Sequence, residues 1–397
     1  MKLHASRRRT HRPGAITVLA ALLMVFLLIM VAFAVDLGWI IVVRLQLQNA
    51  ADAAALAGTS KVLDQSILTG SPQTSAIEAA ARAEAQRFSV ANYGGGVALT
   101  LPDNPSNAPS GDIVCGYLSN PSNLGQSIDT SSSTPNSVQV RVRRDSVSNG
   151  SLSLFFARIM GINTENINAM ATATYRDHIT GFSIHAPGHD TCLLLPFALD
   201  VNTWNSLVAG NGPDVFSRDP NTGMVTAGSD GIHETKLFPL SNGSGGRSGL
   251  PPGNFGTLQI GPANNSTATL VRQILNGPNA NDLSYYPGGV IQLDPTTQTL
   301  SLPGNTGVSA AVKDALNTII GQPRVLPLYS SVAGPGANAV YTIVGFAGVT
   351  VCEVVLTGSL SSKHVTIEPC FAVDSNALPG NISGSSTYVY TPVALTR

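Results

Sequence analysis

The chain has 397 residues, of which only 11% are charged, and its formal net charge is −1. Ordinary soluble domains carry about 25% charged residues, and a nearly neutral chain lacks the basic surface that nucleic acid requires. Glycine and proline are abundant instead, with 39 and 25 residues. We therefore expect no nucleic-acid partner and favour an exported, turn-rich protein with a β-rich domain.

A long apolar block near the N-terminus is the most informative stretch. Residues 15–35 carry no charge, and at about 1.5 Å per residue they can cross a hydrocarbon core of about 30 Å. Asp36 interrupts the block, which then continues to Val43. We expect Asp36 and Trp39 at the outer headgroup level, because Trp prefers that level, and we take Arg44 as the third residue at this membrane boundary. An acid deeper in the membrane would instead mark a functional site.

The charges on either side of this block predict its orientation. Cations precede it at five positions, Lys2, Arg7, Arg8, Arg9 and Arg12. Behind it, Asp36, Arg44 and Asp52 nearly cancel. The positive-inside rule then places the N-terminal head in the cytoplasm and the bulk of the chain outside, with the bilayer as the first partner.

Three fates are open to the apolar block. A secretory signal could be cleaved at the Ala32-x-Ala34 site, but the block is longer than the roughly 7 to 15 apolar residues of such signals. A prepilin-type leader would be cut after Gly14, where Leu19 would then occupy the position at which classical type IV pilins carry Glu. The third fate, which we favour, is an uncut anchor that crosses the membrane once.

The helix is predicted to continue beyond the bilayer as a stalk that ends near Gly58. An apolar seam recurs at alternating steps of four and three residues, at Val43, Leu47, Ala50, Ala54 and Ala57. A polar stripe follows Arg44, Gln48 and Asp52. Because alanines permit close approach, Leu47, Ala50, Ala54 and Ala57 are candidate assembly-interface residues. They could pack on the protein's own domain or on a partner, including a second copy.

An α+β unit and a β-rich region are predicted after the stalk. We place a helix from a Ser75-x-x-Glu78 capping box to Asn92, strands at 97–101, 112–118, 137–143 and 166–175, and a helix over 152–159 ended by Gly161. Helices at 266–275 and 308–320 interrupt the later strands. The fold class is α+β, with divisions at 1–14 (head), 15–43 (membrane helix), 44–92 (stalk), 93–177 (α+β unit) and 178–397 (β-rich domain).

The run GAITVLAALLMVFLLIMVAFAVDLGWIIVVRLQLQNAADAAALAG, residues 14–58, resembles the N-terminal domain of TadG-like proteins of the Tad (Flp, tight-adherence) pilus-assembly systems. The segments NSVQVRVRR, SLFFARIMG and INAMATATY, within residues 136–175, are similar to the strand, helix and strand of TadE/TadG-like proteins. The resemblance implies a bacterial envelope protein that helps to assemble or anchor an adhesive pilus, and we expect it in the inner membrane with the bulk of the chain in the periplasm. It also implies that other Tad/Flp envelope proteins are its partners.

Chemistry-bearing motifs are sparse. Metal-ligating residue types come closest together at His185, His189, Asp190 and Cys192, but a Gly/Pro loop lacks the preset geometry of a helical zinc motif, so solvated loop residues are expected. Nucleophile-elbow, Walker and dinucleotide motifs are missing from the sequence. We therefore predict no enzyme and no cofactor. The alternative is an anchored enzyme or ligand-binding module in residues 180–397.

Four cysteines, Cys115, Cys192, Cys352 and Cys370, would face an oxidising compartment. Three pairings are possible from sequence. We favour Cys352 with Cys370, because they are neighbours along the chain.

Overall fold

The computed structural model describes residues 13–237, 255–261, 266–305, 310–334, 338–358 and 362–396. Its α-helices are α1 Pro13–Thr59, α2 Thr74–Val90, α3 Val201–Val208, α4 Thr267–Asn276, α5 Ala280–Leu283 and α6 Lys313–Thr318. Single 3₁₀ turns occupy Gln65–Ile67, Ala157–Met160, Pro287–Gly289 and Ala310–Val312. One long helix at the N-terminus is thus followed by much shorter ones.

Strands make up most of the remaining regular structure. They are β1 Tyr93–Gly94, β2 Val97–Ala98, β3 Ile113–Gly116, β4 Ser137–Arg144, β5 Leu152–Ser153, β6 Thr164–Glu165, β7 Ile167–Thr174, β8 Ile179–Ser183, β9 Phe197–Asp200, β10 Phe216–Arg218, β11 Val225–Ala227, β12 Thr235–Leu237, β13 Phe255–Leu258, β14 Val290–Gln292, β15 Leu300–Asn305, β16 Arg324–Ala333, β17 Ala339–Val355, β18 His364–Pro369, β19 Ala372–Val373, β20 Ala377–Pro379, β21 Ser386–Thr387, β22 Val389–Tyr390 and β23 Ala394–Leu395. The predicted α+β class is confirmed.

The chain forms two compact units. Unit 1 comprises residues 1–57, 82–114 and 139–172, and unit 2 comprises residues 58–81, 115–138 and 173–397. Unit 1 contains nearly all of α1, the β1–β2 hairpin and the β5–β6 hairpin. A four-stranded sheet has the order β23-β7-β4-β3.

Several predicted elements need correction. Residues 152–159 do not form a helix, because Leu152 pairs in β5 and only the turn Ala157–Met160 is helical. Gly161 does end that turn, with φ 84°, a left-handed conformation that suits glycine. The Ser75 capping box is also wrong, because α2 already begins at Thr74. The predicted strand at 97–101 shortens to Val97–Ala98.

Unit 2 is organised around a closed ring of strands. Antiparallel pairing runs from β17 to β15, from β15 to β13 and from β13 to β9. A parallel contact joins β9 to β16, and the long β16–β17 hairpin closes the ring. Closure of a sheet removes the exposed strand edges that otherwise recruit other chains.

Two apolar clusters fill unit 2. One gathers Trp204 and Leu207 of α3 with Leu316 of α6 and apolar residues of β16, β17 and β18. The other contains two edge-to-face aromatic pairs, Phe182 with Phe346 at 5.2 Å and Tyr329 with Tyr341 at 5.1 Å between ring centroids.

The cysteine pairing favoured from sequence is wrong. Cys115, Cys192, Cys352 and Cys370 are all free and buried. Burial raises the pKa of the Cys370 thiol to about 11, so this thiol is held in its protonated, unreactive form. The cysteines therefore act as small apolar core residues.

A buried carboxyl in unit 2 makes stability depend on pH. Glu368 of β18 is only 1% exposed, and within the described residues its Oε2 atom has no hydrogen-bond partner. Burial raises its pKa to about 7, and the nearby charges of Asp230 and Glu234 act in the same direction. Between about pH 4.5 and pH 7 the folded chain therefore holds a proton that the unfolded chain has already lost.

We predict that the free energy of unfolding falls as pH rises from about 4.5 to about 7, and that Glu368→Gln removes this part of the pH dependence. The folded state binds more protons than the unfolded state in that window, and a shift of this size corresponds to about 3 kcal/mol. Denaturant unfolding of the full chain in detergent at several pH values measures the effect. Glu353→Gln, at a side chain that is 43% exposed, is the control. An unchanged pH slope for Glu368→Gln would contradict the prediction.

Candidate functional site

The membrane-spanning part of α1 is exposed along its whole apolar window. The helix from Ile16 to Thr59 is long and apolar enough to cross a membrane, and its apolar stretch of 18 residues is not buried by the rest of the chain. Leu22 and Phe26, for example, are both more than half exposed. A core helix of a soluble protein would be covered by protein, so this surface is suited to lipid.

Burial starts at Asp36 and then follows one stripe of the helix. Asp36, Val43, Leu47, Ala50 and Ala54 are separated by steps of seven, four, three and four residues, and each is at most 5% exposed. Such steps keep residues on one side of an α-helix. The seam predicted from sequence therefore exists as a buried stripe, and it reaches one heptad further towards the membrane than expected.

Asp36 connects α1 to the segment that follows β5 through three hydrogen bonds. Its Oδ1 atom accepts the backbone N–H of Phe155 at 2.7 Å. Its Oδ2 atom accepts the N–H groups of Phe156 at 3.0 Å and Ala157 at 2.6 Å. Charge-assisted bonds of this kind are roughly twice as strong as neutral ones. The carboxylate, 5% exposed, thus fixes the backbone of three consecutive residues.

Trp39 reinforces this junction. It lies one turn beyond Asp36, and its ring centroid is 5.7 Å from that of Phe155 in a tilted arrangement. Arg44 lies on the exposed side of the same helix. Of the three predicted membrane residues, two therefore meet the segment after β5. Their placement at the headgroup level stays a prediction.

The β1–β2 hairpin covers the stripe next to the junction. The backbone N–H of Gly95 donates to Gln46 Oε1 at 2.8 Å. A Cβ on Gly94 would lie 3.0 Å from a methyl group of Leu47, and one on Gly95 would lie 3.3 Å from Val43. The two glycines let the hairpin backbone approach the helix closely.

Two polar side chains add hydrogen bonds within unit 1, one to the hairpin beside the helix and one from the helix itself. Arg144 of β4, 7% exposed, donates to the carbonyl of Gly94 at 2.9 Å. Further along α1, Gln48 donates to Asp52 at 2.7 Å and to the carbonyl of Met170 at 3.2 Å. The predicted polar stripe is therefore used partly to hold β7.

The four residues predicted from sequence as candidates for an assembly interface lie in this buried stripe. Leu47, Ala50 and Ala54 are fully buried, and Ala57 is 9% exposed. Their burial agrees with the alternative in which the seam packs on the protein's own chain. Contact between this seam and a partner stays a prediction.

The metal-ligand candidates lie in a surface loop of unit 2. His185 is exposed and its Nδ1 lies 2.6 Å from the carbonyl of Ser183. His189 and Asp190 are exposed, whereas Cys192 is buried and burial raises the pKa of its thiol. Across the described part of the chain, no group of three or more His, Cys, Asp or Glu residues could hold a metal ion.

Sequence reasoning missed the partner of Asp36, although a signal was available. Extending the seam backwards by one heptad from Val43 reaches Asp36, which places it on the protein-facing side. The apolar spacing of Leu152, Phe155, Phe156 and Ile159 concealed the partner, because it suggested a helix. In the structure only Leu152 of these four residues is buried.

We predict that Asp36→Ala loosens residues 155–157 without unfolding the chain. Hydrogen bonds to charged groups contribute about 1.5–3 kcal/mol each, so hydrogen exchange of these three amides should accelerate at least about tenfold. Exchange measured by mass spectrometry on the full chain in detergent reports this directly. Asp52→Asn, which changes a carboxylate elsewhere on α1, is the control. If the amides of residues 155–157 exchange no faster in Asp36→Ala, the carboxylate does not hold this segment and the prediction is wrong.

Residues 14–65 match the Tad family, described as Flp pilus-assembly TadE/G-like. Residues 53–173 match the Tad_C family, described as Tad-like Flp pilus-assembly. The searches of curated proteins and of solved structures gave no match. The resemblance identified from sequence is confirmed: residues 14–173 match Tad-type Flp pilus-assembly families, and together with the long apolar helix they support a membrane-anchored Tad component.

Proposed function

We propose that this protein is a single-pass inner-membrane component of a Tad/Flp pilus-assembly system, with its head in the cytoplasm and its folded units in the periplasm. The observation that carries the proposal is the continuity of α1. One unbroken helix has an exposed apolar first part and a protein-covered stripe in its second part. Such a helix can fix a folded region to the bilayer surface. The five cations that precede it favour the stated orientation.

We further propose that the role is structural and that no catalysis is involved. The families matched by residues 14–173 are described as pilus-assembly families. Apolar and aromatic side chains of the ring strands in unit 2 belong to its two buried clusters. Partners would be other Tad/Flp envelope proteins and the bilayer. Self-association through the alanine seam would require the seam to leave the contacts that bury it. The division of residues 178–397 as a separate β-rich domain belongs to the same proposal.

The orientation is testable with single introduced cysteines, since the native ones are buried. Leu124→Cys, at a side chain that is 72% exposed, should react with a membrane-impermeant maleimide in intact spheroplasts. Ser6→Cys in the head should react only after lysis. The opposite labelling pattern would reverse the proposed topology, and labelling of both residues before lysis would mean that the chain is not a membrane-crossing protein.

The role of the seam is testable with Ala54→Trp. A Trp at this fully buried position should lower the free energy of unfolding of the full chain by about 1–3 kcal/mol through overpacking. Asn49→Trp, on the exposed side of the same helix, should leave it unchanged. Denaturant unfolding in detergent measures both.

The same pair of variants tests the function in cells. Removal of the protein should abolish pilus-dependent adhesion, and Asn49→Trp should restore it fully, whereas Ala54→Trp should restore it poorly. Adhesion that persists without the protein would contradict the proposed function. Normal stability of Ala54→Trp together with reduced crosslinking to envelope partners would instead assign the seam to a partner.

A further inference from the structure

An apolar segment beside the end of the membrane span has no assigned role. We propose that residues 155–162 form a second membrane contact, an interfacial segment that inserts its side chains into the outer surface of the same bilayer that α1 crosses. This inference rests on the proposed membrane anchoring and goes beyond it, because it concerns a part of the folded region outside the transmembrane helix.

The segment exposes an unusual amount of apolar surface. Its side chains are Phe155 at 58% exposure, Phe156 at 43%, Ile159 at 86%, Met160 at 78% and Ile162 at 51%. Single exposed apolar residues are common, but a run of this density indicates a binding surface. Whether this surface contacts lipid or protein follows from its position along α1.

That position is fixed by Asp36. From Ile16 to Asp36 the helix rises about 30 Å, which is the thickness of the hydrocarbon core. The carboxylate of Asp36 holds the backbone N–H groups of residues 155–157 at 2.6 to 3.0 Å. A bilayer whose hydrocarbon core begins at Ile16 therefore meets the segment at its outer boundary.

The lipid-facing surface of α1 continues past this level. Leu37, Ile41 and Leu45 are each about half exposed or more, although they lie beyond Asp36 in the helix. At about 100° per residue these three side chains lie away from the side of the helix on which Asp36 holds the segment, so apolar surface is exposed in more than one direction near this level. A bilayer surrounds the helix and can cover both surfaces at once, which favours it over a separate protein partner.

The composition of the segment suits the membrane interface. Aromatic and branched apolar side chains flank Arg158, which is also exposed. Interfacial segments combine apolar side chains that enter the acyl boundary with cations that meet anionic phosphate headgroups. A contact of this type would limit the tilt of the folded unit relative to the helix that carries it.

The test uses tryptophan fluorescence of the full chain in vesicles of phosphatidylethanolamine and phosphatidylglycerol, with or without brominated acyl chains. Trp39→Phe serves as the background, which leaves Trp204 as a buried reference. In Ile159→Trp, brominated lipid should lower the added emission at least twofold, and aqueous iodide should have little effect. Met160→Trp provides a second, independent position.

Met170→Trp is the matched control. Met170 is 49% exposed, lies in the same unit and contacts Gln48, which is about 18 Å further along the helix than Asp36. Its added emission should respond to iodide and not to brominated lipid. Phe26→Trp, within the span, should be quenched by brominated lipid.

The outcomes separate the two proposals. Quenching at position 26 together with iodide access at 159 and 160 would overturn the interfacial segment and leave the anchor intact. If envelope extract then shielded those positions from iodide, the segment would be a protein-binding surface. Absence of lipid quenching at position 26 would overturn the anchor itself, and the placement of the segment with it.

Discussion

The structure of unit 1 depends on a single helix that leaves lipid and enters protein without a break. Such a helix passes from a surface that faces lipid to a surface that packs on protein. Here the protein-covered surface is one stripe, which begins at Asp36 and continues through Val43 and Leu47. Steps of seven, four and three residues hold these side chains on one side. The stripe therefore fixes the rotation of the helix against the β1–β2 hairpin, while the remaining faces stay available to lipid.

A carboxylate at the start of the stripe would be costly without partners, because burial of an unpaired charge is strongly unfavourable. Three backbone N–H groups supply those partners. The same hydrogen bonds also pair N–H donors that an irregular segment of this kind would otherwise leave without an acceptor. The arrangement explains why residues 155–157 adopt a turn. It also explains why Phe155 and Phe156 can project outwards, since their backbone is held independently of their side chains.

Local patterns predicted this fold well where one face of an element is buried by near neighbours. The alternation in β4 correctly gave a strand, with Val138, Val140 and Val142 buried, and the spacing of the alanine seam gave the stalk. The pattern over 152–159 failed, because Phe155, Phe156 and Ile159 are exposed and only their spacing from Leu152 resembles that of a core-facing helix. Closure of the strand ring in unit 2 depends on the pairing of β9 with β16 across more than a hundred residues, and no local pattern encodes it.

The two units differ in the apolar surface that they leave exposed. In unit 2 the central strands are paired on both sides and the aromatic pairs Phe182–Phe346 and Tyr329–Tyr341 lie in its core. In unit 1 apolar side chains are exposed along the first part of α1 and again over residues 155–162. The bilayer contact proposed for residues 155–162 would restrain the orientation of the folded unit as well as its location. A flexible tether of the same length would provide location alone.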